Sequence, residues 1–399
     1  MFRIRLPLRS LLLLSLGVLG ACTADSVDSS AESSGAPTQL ILDSMPRMSF
    51  GGLDERPEYS FSVVSAGMFF GPDRFVILDA QGHELKIYST SGEHLHTFGR
   101  RGEGPGELGR LPELLPAADG TIRLWDGLQQ RLTAFDDRGK LLSTERPMEG
   151  LEIRFVRLAG ALSDNRVIWK QPNESQGGDN APNGEYRDTT FHVLRNAEGI
   201  SDTLAWTLAS EAFSADADGQ RLSTPVLFGR EGFAVVGGER LIYGVSDEPL
   251  LRSKNPDGSE GPSFRWDLER EPVSGREVDS LRVEGTAPWR TRQETGGPQL
   301  VAFADAQLRV IAAAPAREAR PHFSALHVNG TGDVLVQRAT DLFASENEWV
   351  LFGGDGTLHG RFSTPRGFLV LDFTPSEILG YTLDELDLPT IQIRALGTG

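Results

Sequence analysis

Cysteine is almost absent from this chain of 399 residues, in which Cys22 is the only one. No disulfide can form within the chain, so an oxidising compartment would add no covalent framework to its fold. Two frequent catalytic signatures are also missing, the Gly-x-Ser-x-Gly elbow of serine hydrolases and the His-Glu-x-x-His helix of zinc proteases. The sequence predicts no catalytic residue, no cofactor and no metal ligands.

Long apolar runs are scarce as well. The run Leu11–Leu19 is roughly ten residues long, whereas a membrane-spanning helix needs about 20. Three arginines (Arg3, Arg5 and Arg9) precede it, and no acidic residue occurs before Asp25. A basic segment followed by a short apolar segment is typical of a secretory signal. Residues 1–21 are therefore predicted to be a signal peptide.

The apolar run ends in a motif that resembles the bacterial lipobox, formed by Leu19, Gly20, Ala21 and Cys22. Small side chains let the signal peptidase approach the bond, and the thiol accepts the acyl group. The motif predicts lipidation of Cys22. The alternative is an ordinary signal peptide with a cysteine placed there by chance.

Lipidation implies a location in the cell envelope. Bacterial lipoproteins carry a diacylglycerol thioether and usually an N-acyl chain, and two or more chains hold a protein firmly at a membrane. Thr23 stands where an Asp often marks inner-membrane retention, which favours the outer membrane, on its periplasmic or surface face. Residues 22–37 are rich in Ser, Ala and Asp and are predicted to form a flexible tether.

Basic residues are outnumbered, with 39 Lys and Arg against 56 Asp and Glu and a net charge of −17. Removal of the first 21 residues, which contain three arginines and no acidic residue, lowers this to −20. Such a surface repels nucleic acid and anionic headgroups, so a nucleic-acid partner is not expected. Either the charged partners are cationic, or the acidic surface only keeps a tethered protein in solution.

An internal repeat is the most informative feature of the remaining chain. The segments Arg74–Asp79 and Leu85–Leu95 recur as Thr121–Asp126 and Arg131–Leu141, with Asp79 and Asp126 separated by 47 positions. Each copy predicts a meander of about four strands, which cannot cover its own two faces. Radial stacking of copies covers them, as in a β-propeller.

Weaker copies predict further units. Their strands are expected at Asn165–Trp169 and Phe191–Leu194, at Gly232–Gly237 and Leu241–Gly244, at Gly332–Val336 and Trp349–Phe352, and at Gly367–Phe373, Ile378–Tyr381 and Thr390–Ile393. The last unit has room for three strands only, so Gln39–Leu42 is predicted to supply the fourth and close the ring.

Two insertions interrupt the repeat. Gln171–Arg187 is polar and is predicted to be a loop. Pro272–Leu281 is predicted to be a short helix, because Ser274 and Glu277 have the spacing of a capping box. A second helical piece is expected within Gln299–Ala316.

The segment Phe98–Leu108 resembles the connection between blades in bacterial six-bladed β-propeller lipoproteins, relatives of NHL-repeat propellers. The motif residues are Gly99, Arg100, Gly102, Gly104, Pro105, Gly106 and Glu107. Arg320–Val328 and Asp384–Leu386 resemble that family's C-terminal part. The resemblance implies an all-β fold over residues 38–399, a six-bladed propeller of four-stranded antiparallel blades. It implies no settled activity.

Other candidate sites have ordinary alternatives. A Gly-rich loop at Gly102–Gly106 can bind phosphate only if a helix follows it, so a turn between units is the favoured interpretation. Asp79 and Asp126 either face the axial channel or end their strands by bonding to backbone amides. Tryptophans 125, 169 and 349 are interpreted as packing residues.

Two hypotheses for function follow. The preferred one is a monomeric, non-enzymatic scaffold on the cell envelope that binds a protein, peptide or glycan. The alternative is an enzyme of the lactonase, gluconolactonase or streptogramin-lyase type, which would require metal ligands or a histidine at the mouth of the channel.

Overall fold

The protein's structure is a computed structural model that describes residues 38–398, apart from 110, 111, 118, 152–156, 174–179, 196–198 and 200. These residues form seven antiparallel sheets and two α-helices. Six sheets of four or five strands follow one another along the chain, and a smaller sheet has three strands.

The six larger sheets take up their strands almost in chain order. The exceptions are the first two strands, β1 (Leu40–Leu42) and β2 (Met48–Gly51), which belong to sheet 6. Sheet 1 contains β3 (Val64–Phe70), β4 (Arg74–Asp79), β5 (Glu84–Ser89) and β6 (His94–Phe98), and sheet 2 contains β7 (Pro112–Leu115), β8 (Ile122–Asp126), β9 (Arg131–Phe135) and β10 (Leu141–Glu145). Sheet 3 contains β11 (Arg157–Ala161), β12 (Val167–Pro172), β14 (Thr189–Arg195) and β15 (Ser201–Leu208).

Sheet 4 contains β18 (Gly232–Gly237), β19 (Arg240–Val245), β20 (Leu250–Lys254) and β21 (Phe264–Arg265), and sheet 5 contains β22 (Phe323–Val328), β23 (Val334–Arg338), β24 (Glu346–Phe352) and β25 (Leu358–Pro365). Sheet 6 combines β26 (Leu369–Thr374), β27 (Glu377–Leu383) and β28 (Pro389–Thr398) with β1 and β2. Each predicted strand of the weaker copies overlaps one of these strands, although some of its bounds differ by a few residues.

The position of a strand in its sheet explains its pattern of side chains. In sheet 2, every residue of the central strands β8 and β9 is buried, because other sheets cover both faces. The outermost strand, β10, alternates between half-buried and exposed residues, as a strand with one solvated face should. The sequence therefore repeats every 47 residues because consecutive sheets bury their central strands and expose one face of their outer strands.

Hydrophobic clusters join each larger sheet to the next, and sheet 6 to sheet 1. Typical pairs are Val76 with Leu124 for sheets 1 and 2, Trp125 with Trp169 for sheets 2 and 3, Ile168 with Val236 for sheets 3 and 4, Phe264 with Phe352 for sheets 4 and 5, Trp349 with Phe373 for sheets 5 and 6, and Ile391 with Phe75 for sheets 6 and 1. This face-to-face succession is the arrangement of a β-propeller, and the three tryptophans predicted to pack between sheets do so.

Sheet 6 joins the two ends of the described chain. Leu40 pairs with Thr398 and Leu42 with Leu396, so β1 extends the sheet beyond β28 as predicted for Gln39–Leu42. The strand β2 also pairs with β28, further along the same edge, which the sequence did not predict. The open edge of the last sheet is therefore covered by the first strands.

The smaller sheet and the helices lie outside the repeat. The sheet contains β13 (Gly184–Tyr186), β16 (Ala212–Ala217) and β17 (Gln220–Pro225), and the helices are α1 (Gly275–Thr295) and α2 (Pro298–Ala313). The apolar face of α2, with Ala306 and Val310, packs on Ala217 and Leu222 of the smaller sheet. We call this sheet and the two helices the insert.

The insert corrects two predictions. The segment Gln171–Arg187 is not a loop throughout, because β12 extends to Pro172 and β13 pairs with a strand far along the chain. The helix capped by Ser274 and Glu277 is confirmed, but it has 21 residues and continues through Pro288. The second predicted helix is confirmed as α2.

All parts of the insert leave the propeller sheets at one end. Strands alternate in direction, so loops between second and third strands lie at the same end as the connections between sheets. The strand β13 lies in the loop from β12 to β14, β16 and β17 in the connection from sheet 3 to sheet 4, and the helices in the connection from sheet 4 to sheet 5. We call this the insertion end. The first described residues enter at the opposite end, where β28 finishes.

Candidate functional site

A narrow cavity of about 190 Å³ lies between the first strands of the propeller sheets, and we call it the axial cavity. Its polar lining residues include His327 and Asp372. The Asp372 Oδ2 atom accepts a hydrogen bond of 2.7 Å from the Phe69 backbone N–H, and burial raises the pKa of this carboxyl to about 7. Burial lowers the pKa of His327, whose ring packs against Trp349, to about 4. At neutral pH the imidazole is thus uncharged.

Asp79 and Asp126 do not line the axial cavity. The Asp79 carboxylate accepts hydrogen bonds from the backbone N–H groups of Ser62, Val63 and Gly82, at 2.8 to 3.1 Å. Asp126 Oδ1 accepts from two backbone N–H groups in the turn after β8. Both side chains bond to backbone amides, which matches the structural alternative.

The Gly-rich motif connects β6 to β7, and its residues stabilise one another. Glu107 accepts hydrogen bonds from Gly104 N–H and from Arg100 Nε, both at 2.8 Å. A Cβ atom on Gly102 would lie 1.9 Å from Glu107 Oε2, so the carboxylate could not keep this position beside a larger residue. The guanidinium of Arg131 donates to the carbonyl oxygens of residues 103, 104 and 107. A strand follows the loop, and not the helix that a phosphate cradle needs.

The predicted anchor, Leu19, Gly20, Ala21 and Cys22, and the tether up to residue 37 lie outside the described residues. In the described chain, no helix is long and apolar enough to cross a membrane. No three His, Cys, Asp or Glu side chains in this part of the chain come together as a metal site would require.

A larger pocket of about 340 Å³ opens at the insertion end, between the insert and sheets 4 and 5. We call it the insertion pocket; it is lined by Val226, Phe228, Gly229, Glu231, Ser246, Leu281, Arg320, Pro321, Phe323, Ser324, Gln337, Arg338, Ala339, Thr340, Leu342, Asn347 and Arg366. Its volume is within the range of small-ligand sites, and it combines apolar walls with a few polar groups. We take it as the candidate binding site.

A buried ion pair adjoins this pocket, because Arg320 lines it and pairs with Glu277. Arg320 and Glu277 have side chains that are 3% and 0% exposed, and they bond directly to each other. Burial by itself would raise the pKa of Glu277, but hydrogen bonds from Leu342 N–H, Ser274 and Arg320 outweigh it and lower the pKa to about 2. The charged pair therefore ties the first turn of α1 to sheet 5.

A second group of charges attaches the smaller sheet to sheet 4. Glu211, which is nearly buried, pairs with Arg230 and with Arg317, and Asp247 pairs with Arg187 and Arg230. Burial alone would raise the pKa of Glu211, yet the hydrogen bonds from both arginines lower it to about 2. The carboxylate therefore stays ionised, and its ion pairs hold the smaller sheet of the insert against sheet 4.

Sequence reasoning missed the insertion pocket. Its walls come from segments near residues 226, 281, 320, 340 and 366, which the repeat does not relate to one another. Glu277 was singled out only as a helix cap, although its second oxygen supports the pocket. The one local signal was this cap, because it showed that a helix starts beside the propeller sheets.

Comparisons with known proteins show only distant likeness. No protein-family model matches the chain, and no curated protein matches it. An exported protein from Bacteroides fragilis is 11% identical, with 90% of this chain and 95% of that chain covered and a TM-score of 0.49. A member of the DUF4221 family from Bacteroides vulgatus is 8% identical (91% and 100% covered, TM-score 0.49). The virginiamycin B lyase of Staphylococcus aureus is 11% identical (91% and 94% covered, TM-score 0.34).

Proposed function

We propose that this chain is an exported lipoprotein, anchored through Cys22 to the bacterial envelope and preferably to the outer membrane. Sheets 1 to 6 are the six blades of its propeller, which acts as a monomeric scaffold for a protein, peptide or glycan. The six interfaces between sheets support the blade count. The lipobox and the tether support the anchor.

The single observation that carries the proposal is that the chain enters at one end of the propeller sheets and the insert lies at the other. The chain enters at the end where β28 finishes, whereas the insert and its pocket occupy the other end. An anchor at the entry point leaves the elaborated end free to meet a ligand. Loops and insertions carried on a rigid scaffold are frequent sites of binding.

The direction of attachment tests the scaffold. One sample of the mature chain is coupled to a resin through Cys22. A second sample carries Cys22→Ala and is coupled through Leu300→Cys, at an exposed position of α2. We expect the first resin to retain a ligand from envelope extracts and the second to retain much less, because its insertion end faces the resin. Equal retention by both resins, or by neither, would contradict the proposal.

The anchor is tested separately by Cys22→Ala. We expect this variant to move from the membrane fraction to the soluble fraction, with its unfolding midpoint unchanged. A variant that stays with the membrane would refute lipid attachment.

A further inference from the structure

The lining of the insertion pocket has more basic than acidic residues, unlike the whole chain. The whole sequence has 56 acidic against 39 basic residues, yet the charged residues that line this pocket are three arginines and one glutamate. A local excess of guanidinium groups in an acidic protein favours an anionic ligand, because arginine recognises carboxylate and phosphate with paired hydrogen bonds.

Only one of the three arginines lacks a carboxylate partner among the described residues. Arg320 pairs with Glu277, and Arg338 pairs with two glutamates at 2.7 and 3.0 Å. Arg366 is exposed and donates to the backbone carbonyl of Asp341 at 2.9 Å, with no ion pair to any described residue. Its positive charge is therefore available to a ligand.

Uncharged polar groups beside Arg366 are also available. The side chains of Gln337, Asn347 and Thr340 are half-buried in the wall of the pocket, and none of them bonds to another described protein group. Partly buried amides without partners are unfavourable unless water or a ligand bonds to them. They can donate to and accept from one polar group of a ligand.

The remaining walls are apolar. Val226 and Phe228 directly follow β17 of the insert, Leu281 comes from α1, and Leu342 lies in the loop between β23 and β24. Phe228 has a φ of +55°, a left-handed conformation that bulky side chains rarely adopt. Such conformations concentrate at functional sites, where the surrounding structure holds them. An apolar group of a ligand would be covered by these walls.

We propose that the insertion pocket binds a carboxylate that is attached to an apolar group. Arg366 pairs with the carboxylate, Gln337 and Asn347 bond to the carboxylate or to a polar group beside it, and the apolar walls cover the rest. Two sources share this chemistry, the C-terminus of a peptide with an apolar last residue and a free short-chain fatty acid. The inference rests on the proposed function, for which it names the ligand class.

Calorimetric titration of the full chain carrying Cys22→Ala separates the sources. The probes are acetyl-Ala-Leu with a free C-terminus, the same peptide as its amide, and hexanoate, all at neutral pH. We expect the free-acid peptide, hexanoate or both to bind, and the amide to bind at least about tenfold more weakly. Binding by the peptide alone identifies a chain terminus, and binding by hexanoate alone a free acid.

Substitutions test whether the carboxylate binds in the insertion pocket. Arg366→Gln should lower the affinity for the carboxylate about tenfold. Leu281→Trp should also lower the affinity, because the larger side chain fills the apolar side of the pocket. Arg290→Gln, at an exposed position on α1 away from the pocket lining, is the matched control and should leave the affinity unchanged. Equal affinity of Arg366→Gln and the parent chain, equal affinity for acid and amide, or no binding of either carboxylate would overturn the inference.

The two proposals fail in distinguishable ways. If the resin coupled through Cys22 retains an envelope ligand while no carboxylate binds, the ligand class is wrong and the scaffold stands. If a carboxylate binds through Arg366 but neither resin retains a ligand, the pocket stands and the scaffold role fails.

Discussion

Sheets 1 and 2 and the insert satisfy their buried charges in different ways. In the two repeat sheets, buried charges bond mainly to backbone groups: Asp79 to amides, Arg131 to carbonyls of the connecting loop, and Lys86 to the carbonyls of residues 57 and 60. Where the insert meets the propeller sheets, Glu277 and Glu211 bond to arginine side chains. The repeat thus depends on local loop geometry, whereas the insert depends on charges from distant parts of the chain.

The two kinds of contact should respond differently to substitution. A backbone partner is fixed by the fold of its own loop, so it survives most substitutions nearby. An ion pair fails when either partner is lost, and the remaining charge is then buried alone. The insert should therefore be the part that single substitutions detach, while the propeller sheets stay folded.

The largest effect is expected for Arg320→Met. It leaves the fully buried carboxylate of Glu277 without its cation, which should cost about 3–5 kcal/mol. Chemical denaturation measures the loss, and hydrogen exchange should show α1 opening while β4 and β8 keep their protection. The double variant Glu277→Gln with Arg320→Met has no buried charge and should recover part of the loss. Equal loss of protection in α1 and in β4 and β8 would contradict the separation.

A smaller effect, about 2–3 kcal/mol, is expected for Gly102→Ala in the repeat region. The new Cβ atom would collide with Glu107, whose carboxylate must then release Gly104 N–H and Arg100. Gly285→Ala is the control, because nothing lies near its Cβ position in α1, and alanine should stabilise the helix slightly. Thermal unfolding compares the two, and a neutral Gly102→Ala would show that Glu107 does not hold the loop.

The buried carboxyl of Asp372 in the axial cavity should make the stability of the fold depend on pH. The folded-state pKa of Asp372 is raised to about 7 by burial, from an ordinary value of 3.8, so its contribution to stability is present at low pH and is lost as the pH rises through 7. Asp372→Asn keeps an acceptor for the Phe69 N–H and should raise stability above pH 7 by on the order of 2 kcal/mol. Urea unfolding at pH 5 and pH 8 measures this. An equal difference between the variant and the parent at both values would contradict the raised pKa.

The two regions also differed in how well the sequence predicted them. The repeat strands could be predicted because their signals are local: Gly92 and Gly139 form turns with φ of +93° and +77°, and strand patterns lie on either side. Counting strands was enough to predict that Leu40–Leu42 completes sheet 6. The lipobox was equally local, but the structure does not describe it.

Distant partners explain what the sequence could not predict. The pairing of β13 with β16 joins Gly184 to Ser214, and no pattern in either segment indicates the other. Pro288 normally ends a helix, yet α1 continues because its packing on α2 outweighs the lost hydrogen bond. The insertion pocket likewise joins residues from distant segments, such as Phe228, Leu281 and Arg366, so the periodicity that predicted the propeller sheets contained no information about it.

The smallest effect is expected for an exposed ion pair of the insert. Arg309 of α2 pairs with Asp218 in the turn from β16 to β17, but these side chains are 55% and 70% exposed. Water screens such a pair, so Arg309→Gln should change the free energy of unfolding by no more than about 0.5 kcal/mol. Urea unfolding of this variant beside Arg320→Met compares two arginine contacts of the same insert that differ mainly in burial. A loss as large as that of Arg320→Met would mean that the number of ion pairs, and not their burial, attaches the insert.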